Sequence, residues 1–516
     1  MSRRIPFVAF LLFGTICFGQ IDRTGTPLSW TTGQDFVNHT IWQNHPAPDV
    51  DALMFEDATE TDKSRPYRFA YAHEVSYRLS TTGHWTNLQN GDRIWVLGID
   101  CPGAFSISLT FSFLSLPRGS KIYIYSENHE DYIGPISSKD NRTSQMGTPP
   151  VRGSRIILEY YEPHSVRGTG DFNIQYVTRA YRDLKDTETF HAAQCMELVE
   201  PELLPLQIKS AVSSVMMMIV DKGQRIATAT LLNNSSNDAT PYAMTSSSAI
   251  MGDASSWVFL LNIKGSSCYF NNTGCSVSAL CGAYISETDL SNGVTLIRLR
   301  NSPKQSWKAY YSGWRLSLPS ASSDYTCLQY ALGLPQSMAS YDGHFVNSVM
   351  NGIPTRALDP AHMGSTFSGS VGSPLFDHDM NVIGMFVGSN SNCELQGQDH
   401  FVYLSSSWNK FRTYLDPFIT APDRLQGLHP KIEPETYSER KFEVFFFPNP
   451  AQDWIYVQNE SNNAIDEVRI MDASGRLIRR MRPTSPTIDV SDLPEGLYAI
   501  SFVAGNEIVT QNLLIR

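Results

Sequence analysis

The stretch 105–126, FSISLTFSFLSLPRGSKIYIYS, alternates small polar and apolar residues at a period of two and is interrupted by Pro117 and Gly119. That period puts one row of side chains on each face of a strand, while the Pro-Arg-Gly break supplies the turn. The same pattern recurs in DRIWVLGI, SRIILEYYEP and FNIQYV, between about residues 65 and 182. Short strands separated by frequent turn residues predict an antiparallel β-sandwich. Residues 190–418 again read as short strands with few helical patterns, as a double β-barrel would require. TAPDRLQGLHPKIEPETYSERK, residues 420–441, carries prolines and charges without apolar periodicity and reads as a linker. The segment after it alternates once more, like a small sandwich. The expected fold is therefore all-β, in three folded regions.

At 516 residues the chain is too long for one ordinary core. Its net charge of -11 offers no basic patch able to neutralise a phosphate backbone, which argues against nucleic acid as a partner. At the amino terminus, Arg3 and Arg4 precede an apolar run from Ile5 to Phe18 that ends in Gly19-Gln20, the layout of a cleavable secretory signal. The run falls short of the ~20 residues a membrane helix needs, and no other stretch would span a bilayer. Ile16 stands where a small residue would be wanted before a lipid-modified Cys17, which argues against a lipid anchor. The expected boundaries are a signal at 1–20, a sandwich domain at 21–185, a barrel domain at 190–419, the linker at 420–441 and a last domain at 442–516.

Loss of Cys17 with the signal leaves seven of the eight cysteines: Cys101, Cys195, Cys268, Cys275, Cys281, Cys327 and Cys393. In an exported chain these read as disulfides, with at least one thiol unpaired within the chain because the number is odd. The Cys268, Cys275, Cys281 series has no CxxC pair and no flanking histidine, so zinc is not expected. HExxH, Walker and post-strand GxGxxG motifs are absent, and no metal or other cofactor is expected.

Three resemblances follow from longer motifs. ISLTFSFLSLPRGSKIYIYS, IGPISSKDN and VRGSRIILEYYEP resemble the amino-terminal β-sandwich region that precedes the protease domain in secreted lysyl-endopeptidase-like proteins. TATLLNN, YYSGW, GSVGSPLF, VIGMFVG and DHFVYLSSSW, within Cys195 to Pro417, resemble a trypsin-like lysyl endopeptidase domain. Pro448-Asn449-Pro450, Gly475 and DLPEGLY resemble the type A sorting domain of the type IX secretion system, an Ig-like sandwich. That last resemblance implies passage through the secretion machinery of a Gram-negative bacterium, to the medium or the outer-membrane cell surface.

A serine protease needs a hydroxyl nucleophile, an imidazole bonded to it, a carboxylate holding that imidazole, and backbone N–H groups facing the oxyanion. The resemblance places the histidine within YAMTSSSA, where this chain has Ser248 followed by Ala249 in the place of a cysteine. The partner of that cysteine would be Ala227. The carboxylate position in SNGVTLIRL is Gly293, and the nucleophile position in Gly369-Ser370-Val371-Gly372-Ser373-Pro374 is Val371. The degenerate triad is thus Ser248, Gly293 and Val371, and no catalytic residue is expected. A serine hydroxyl does not replace a group that titrates near ~6.5. Asp289, four residues before Gly293, reads as a solvated turn aspartate. The N–H groups of Gly369 and Val371 do not depend on side chains and would still accept a carbonyl or carboxylate.

In lysine-specific relatives an aspartate lies in the primary pocket, and the resemblance gives Asp399 that place. A carboxylate in a narrow pocket suits a Lys or Arg side chain of a protein or peptide ligand. Val402, Tyr403 and Val387 depart from the family pattern, leaving open a pocket that is narrowed or filled, or a surface aspartate. The resemblance also pairs Cys393 with Cys195. The leading expectation is an exported pseudoprotease that binds; the alternatives are a peptidase with relocated residues, such as Ser370 or Ser373 with His362 or His378, and a structural or secretion-associated surface component.

Overall fold

The computed structural model describes residues 20–21, 23, 25–31, 40–59, 63–184, 195–263, 278–317, 324–390, 397–419, 423–430, 444–447, 449–459, 465–483, 487–504 and 507–515. The predicted signal run, Cys268, Cys275 and Cys393 lie outside them. The chain forms two compact units, 1–430 and 431–516. Both are built mostly of antiparallel strands.

In the first unit, a six-stranded sheet has the order Trp42–Asn44, Arg93–Asp100, Arg155–Glu162, Lys121–Ser126, Tyr132–Ser137, with His84–Asn87 also pairing Arg93–Asp100. It packs against a five-stranded sheet built around Ser106–Ser115 and Asp171–Ala180. Phe172 of the second sheet meets Trp95 and Tyr160 of the first in edge contacts of 5.4 and 5.7 Å. Strand Arg93–Asp100 is buried at almost every position, not on one face only. The reason is an outer cover: Leu28 packs on Ile94 and Val96, while Trp30 and Trp42 pack on Tyr123, Tyr125 and Ile157. Such two-sided burial replaces strict alternation with a nearly continuous apolar run.

Two larger sheets carry the rest of this unit. In the nine-stranded sheet, Arg225–Leu232 lies between Val215–Val220 and Tyr242–Ser246, and Tyr67–Arg68 pairs with its first residues in the register Tyr67 to Ile226 and Arg68 to Arg225. In the ten-stranded sheet, Pro374–Phe376 pairs with Val382–Ser389, which in turn pairs with Asp399–Tyr403. One apolar core runs from Phe69 to Leu415 through all four sheets. Residues 423–430, read as linker from their composition, are paired: Trp314–Arg315 takes Arg424–Leu425 as a neighbour, and Tyr311 exchanges backbone bonds with Leu428. Pro430 falls after that short strand and does not interrupt it.

The second unit has a three-stranded sheet, Val444–Phe447, Trp454–Asn459, Thr487–Asp489, and a four-stranded one, Leu477–Met481, Glu467–Asp472, Gly496–Ala504, Glu507–Ile515. Val444, Ile455, Val468, Ile470, Ile500 and Phe502 form its own core. The Asn449 side chain of the Pro-Asn-Pro motif accepts from Leu514 N–H at 2.8 Å and donates to the Asn512 carbonyl at 2.8 Å, tying the motif to the last strand.

Candidate functional site

The turn 369–373 enters strand Pro374–Phe376 and lies on strand Arg225–Leu232. Gly369 and Gly372 have φ of +95° and +89°. A Cβ at Gly372 would stand 2.2 Å from the Thr228 carbonyl oxygen, so the close approach of turn and strand requires glycine there. Thr228 fixes the turn: its N–H donates to the Val371 carbonyl at 2.9 Å and its hydroxyl to the Gly369 carbonyl at 3.1 Å. The turn closes on itself through Ser370 N–H to Phe367 O and Ser373 N–H to Ser370 O. These bonds leave the N–H groups of Gly369 and Val371 unused.

At the tip of this turn Val371 is fully buried and forms a separate apolar cluster with Ala227 and Ala249. Ala227 and Ala249 therefore meet in the structure, and Val371 packs with both. Ser248, beside Ala249 in the short turn Ser247–Ala249, donates its hydroxyl to the Ser64 carbonyl at 2.6 Å and lies 2.9 Å from the Ser246 hydroxyl. Gly293 has φ of +66°, and its carbonyl accepts from Ser247 N–H at 2.9 Å. A Cβ there would stand 2.6 Å from Ile353 Cδ1. A side chain there would push the end of Ile353 aside and hold a left-handed backbone that favours glycine.

Asp289 is not solvated. It is buried, and it accepts from the hydroxyls of Ser291 and Ser407 at 2.6 and 2.9 Å, from Asn292 at 2.8 Å and from Lys410 at 3.0 Å. Burial alone would raise its pKa, but the hydrogen bonds from these donors hold the carboxyl well below the usual carboxylate range. It clamps the loop before Gly293 to helix Trp408–Leu415.

Asp399 is also buried, which excludes the surface alternative. Its Oδ2 accepts from the Tyr341 hydroxyl at 2.6 Å and its Oδ1 from the Thr366 hydroxyl at 2.8 Å. Burial, with the Asp399 charge added, pushes the Tyr341 phenol well above its ordinary value. The approach to this carboxylate is taken by a residue that sequence reasoning missed, Lys63. Its Nζ donates to the Thr366 carbonyl at 2.8 Å and lies 5.2 Å from the centre of the Phe367 ring. Burial lowers the Lys63 amine to about 8, against the pull of the Asp399 charge. From Lys63 the chain passes Ser248 at Ser64 and joins the Arg225–Leu232 strand at Tyr67. Asn351, in the hairpin between Val346–Met350 and Ile353–Leu358, donates to the Ser64 hydroxyl at 2.9 Å. No local pattern marks this arrangement, because Lys63 and Thr366 are 303 positions apart.

The residues considered for a relocated mechanism do not converge. Ser370 is buried and its hydroxyl accepts from Phe367 N–H at 3.0 Å, and Ser373 is buried in the turn. His378 is exposed; His362 is exposed with its Nδ1 3.5 Å from Asp342. Ser210 and His429 stand 3.0 Å apart at the surface, the ring tilted against Tyr310, away from the turn. Cys101, Cys281 and Cys327 are free buried thiols, and burial pushes Cys101 and Cys281 up to about 12. Cys195 is disulfide-bonded; Cys393, its expected partner, lies outside the described residues.

The first unit thus sets a glycine-framed turn between two large antiparallel sheets, and a separate small β unit follows it in the chain. Residues 195–403 match the lysyl endopeptidase C-terminal domain family, and residues 445–516 match the secretion system C-terminal sorting domain family. The chain thus carries a lysyl-endopeptidase-type domain and a type IX sorting domain. Among solved structures, it is similar to human heparin binding protein, at 13% identity over 44% of this chain and 96% of that one, with a TM-score of 0.32. It is also similar to the inactive form of the Rv3671c protease of M. tuberculosis, at 11% identity over 42% and 96%, TM-score 0.30. A third is the MamO protease domain of Magnetospirillum magneticum, at 7% identity over 39% and 97%, TM-score 0.28. The sorting domain directs the chain out of a Gram-negative-type cell, to the medium or the cell surface. Among the described residues no helix is long and apolar enough to cross a membrane.

Proposed function

We propose that this protein is a catalytically inactive relative of lysyl endopeptidase that acts by binding after export through the type IX system. One observation carries the reading: the side chain at the nucleophile position, Val371, has no nucleophilic atom and is buried against Ala227 and Ala249. Ser248 in the place of the base and Gly293 in the place of the carboxylate complete the degenerate triad. In this reading 21–185 is a β-sandwich, 190–419 with the paired segment 423–430 a double β-barrel braced by a Cys195–Cys393 disulfide, 431–441 the linker region and 442–516 an Ig-like sandwich. Asp399 is the lysine- or arginine-reading group of the ligand cleft, and the Gly369 N–H is a carbonyl-binding group.

The test is hydrolysis of Lys-X peptides by the exported chain without its signal. The expected result is no cleavage above buffer; turnover abolished by Ser370→Ala, Ser373→Ala or Ser210→Ala would replace this reading with a relocated peptidase.

A further inference from the structure

We propose that Lys63–Tyr67 is a tethered peptide ligand of the cleft, bound in cis in the way the cleft would bind a lysine-containing peptide of another protein. This rests on the reading of Asp399 as the ligand-recognising carboxylate.

Four contacts hold the segment from Lys63 to Tyr67. Lys63 donates to the carbonyl of Thr366, the residue whose hydroxyl holds the buried Asp399, and its amine faces the Phe367 ring. The Ser64 carbonyl takes the Ser248 hydroxyl at the degenerate base position. The Ser64 hydroxyl takes the Asn351 amide from the hairpin on the other wall. Tyr67 then extends the edge of the nine-stranded sheet opposite Ile226, next to Ala227 of the apolar cluster. A side chain directed into a pocket, followed by backbone pairing with a sheet edge, is how an extended peptide is read.

The segment is also held from both sides. Before it, helix Val50–Thr59 supplies Asp57, which binds Arg68 at 2.7 Å and Arg182 at 2.9 Å; Glu56 adds a contact to Arg68 at 2.9 Å. Anchoring at Arg68 and Asp57 keeps the lysine at an effective concentration of the order of millimolar beside the pocket. A free peptide must displace it, so its apparent affinity falls by the fraction of time the pocket is vacant.

The probe is the fluorescein-labelled peptide Thr-Asp-Lys-Ser-Arg-Pro-Tyr, its binding to the exported full chain read by fluorescence anisotropy. Lys63→Ala should bind it at least about tenfold more tightly than wild type. Adding Asp399→Asn should remove that gain, and a probe with Met in place of its Lys should not bind. Equal binding to wild type and Lys63→Ala, or a gain that survives Asp399→Asn, overturns the proposal. If Lys63→Ala loses its cooperative melt, Lys63→Met, which keeps the apolar stem, takes its place with the same expectations. In the unaltered protein, native amine labelling should modify Lys63 far more slowly than the exposed Lys121. Equal rates contradict the tether. Peptide cleavage by wild type would sink the inactive reading, whereas absent cleavage together with no binding gain sinks the tethered ligand alone.

Discussion

Val371 packs against Ala249, with Ala227 completing a cluster in which none of the three is exposed to solvent. Val371 is thus part of a small dry core. Val371→Ser should therefore fail to create activity, because Ser248 is no base and Gly293 no carboxylate. It should also place a hydroxyl in an apolar niche, at a cost of about 1–3 kcal/mol read by urea denaturation. A stable variant that hydrolyses Lys-X peptides would show that the cluster does not seal the site.

Asp289 joins the loop Ser291–Gly293 to the helix that carries Lys410, through four side-chain donors. Asp289→Ala should cost about 2–3 kcal/mol at neutral pH, since donors arranged around a charge are left without it. The folded carboxyl is held below its unfolded value, so this contribution is complete above the unfolded value near ~4 and is lost as pH falls. The gap in stability between wild type and Asp289→Ala should therefore shrink between about pH 5 and pH 2. An unchanged gap across that range would remove the buried network as its source.

Lys63 is lowered for a different reason, burial of its charge, but its linkage has the same sign. Burial, only partly offset by Asp399, lowers its folded value to about 8, so between about pH 8 and pH 10 the unfolded chain binds more protons than the folded one. Stability of the wild type relative to Lys63→Met should rise across that window. A flat difference in paired urea melts would mean that the amine is solvated and the pocket open.

Much of this was legible in the chain. The period-two runs locate the strands, and the resemblance carried by GSVGSPLF, YAMTSSSA and SNGVTLIRL drew attention to Val371, Ser248 and Gly293. Ala227 and Ala249 were paired on the resemblance alone, and in the structure they meet, with Val371 filling the same niche. Burial on both faces of Arg93–Asp100 was not visible, since the covering residues Leu28, Trp30 and Trp42 lie outside any periodic run. Asp289 looked solvated because its partners Ser407 and Lys410 are distant in sequence. Lys63 was missed for the same reason. Which residue fills a cleft is a property of tertiary packing, and a lone lysine in TDKSRPY carries no local signal of it.

The central claim is that the trypsin-like domain holds no activated serine. Intact-mass measurement after incubation of the exported chain with a fluorophosphonate probe tests it most directly. The account predicts an unmodified mass for wild type, for Lys63→Ala with its cleft vacated, and for Val371→Ser. A stoichiometric adduct on wild type or Lys63→Ala, mapped to any serine, would contradict it.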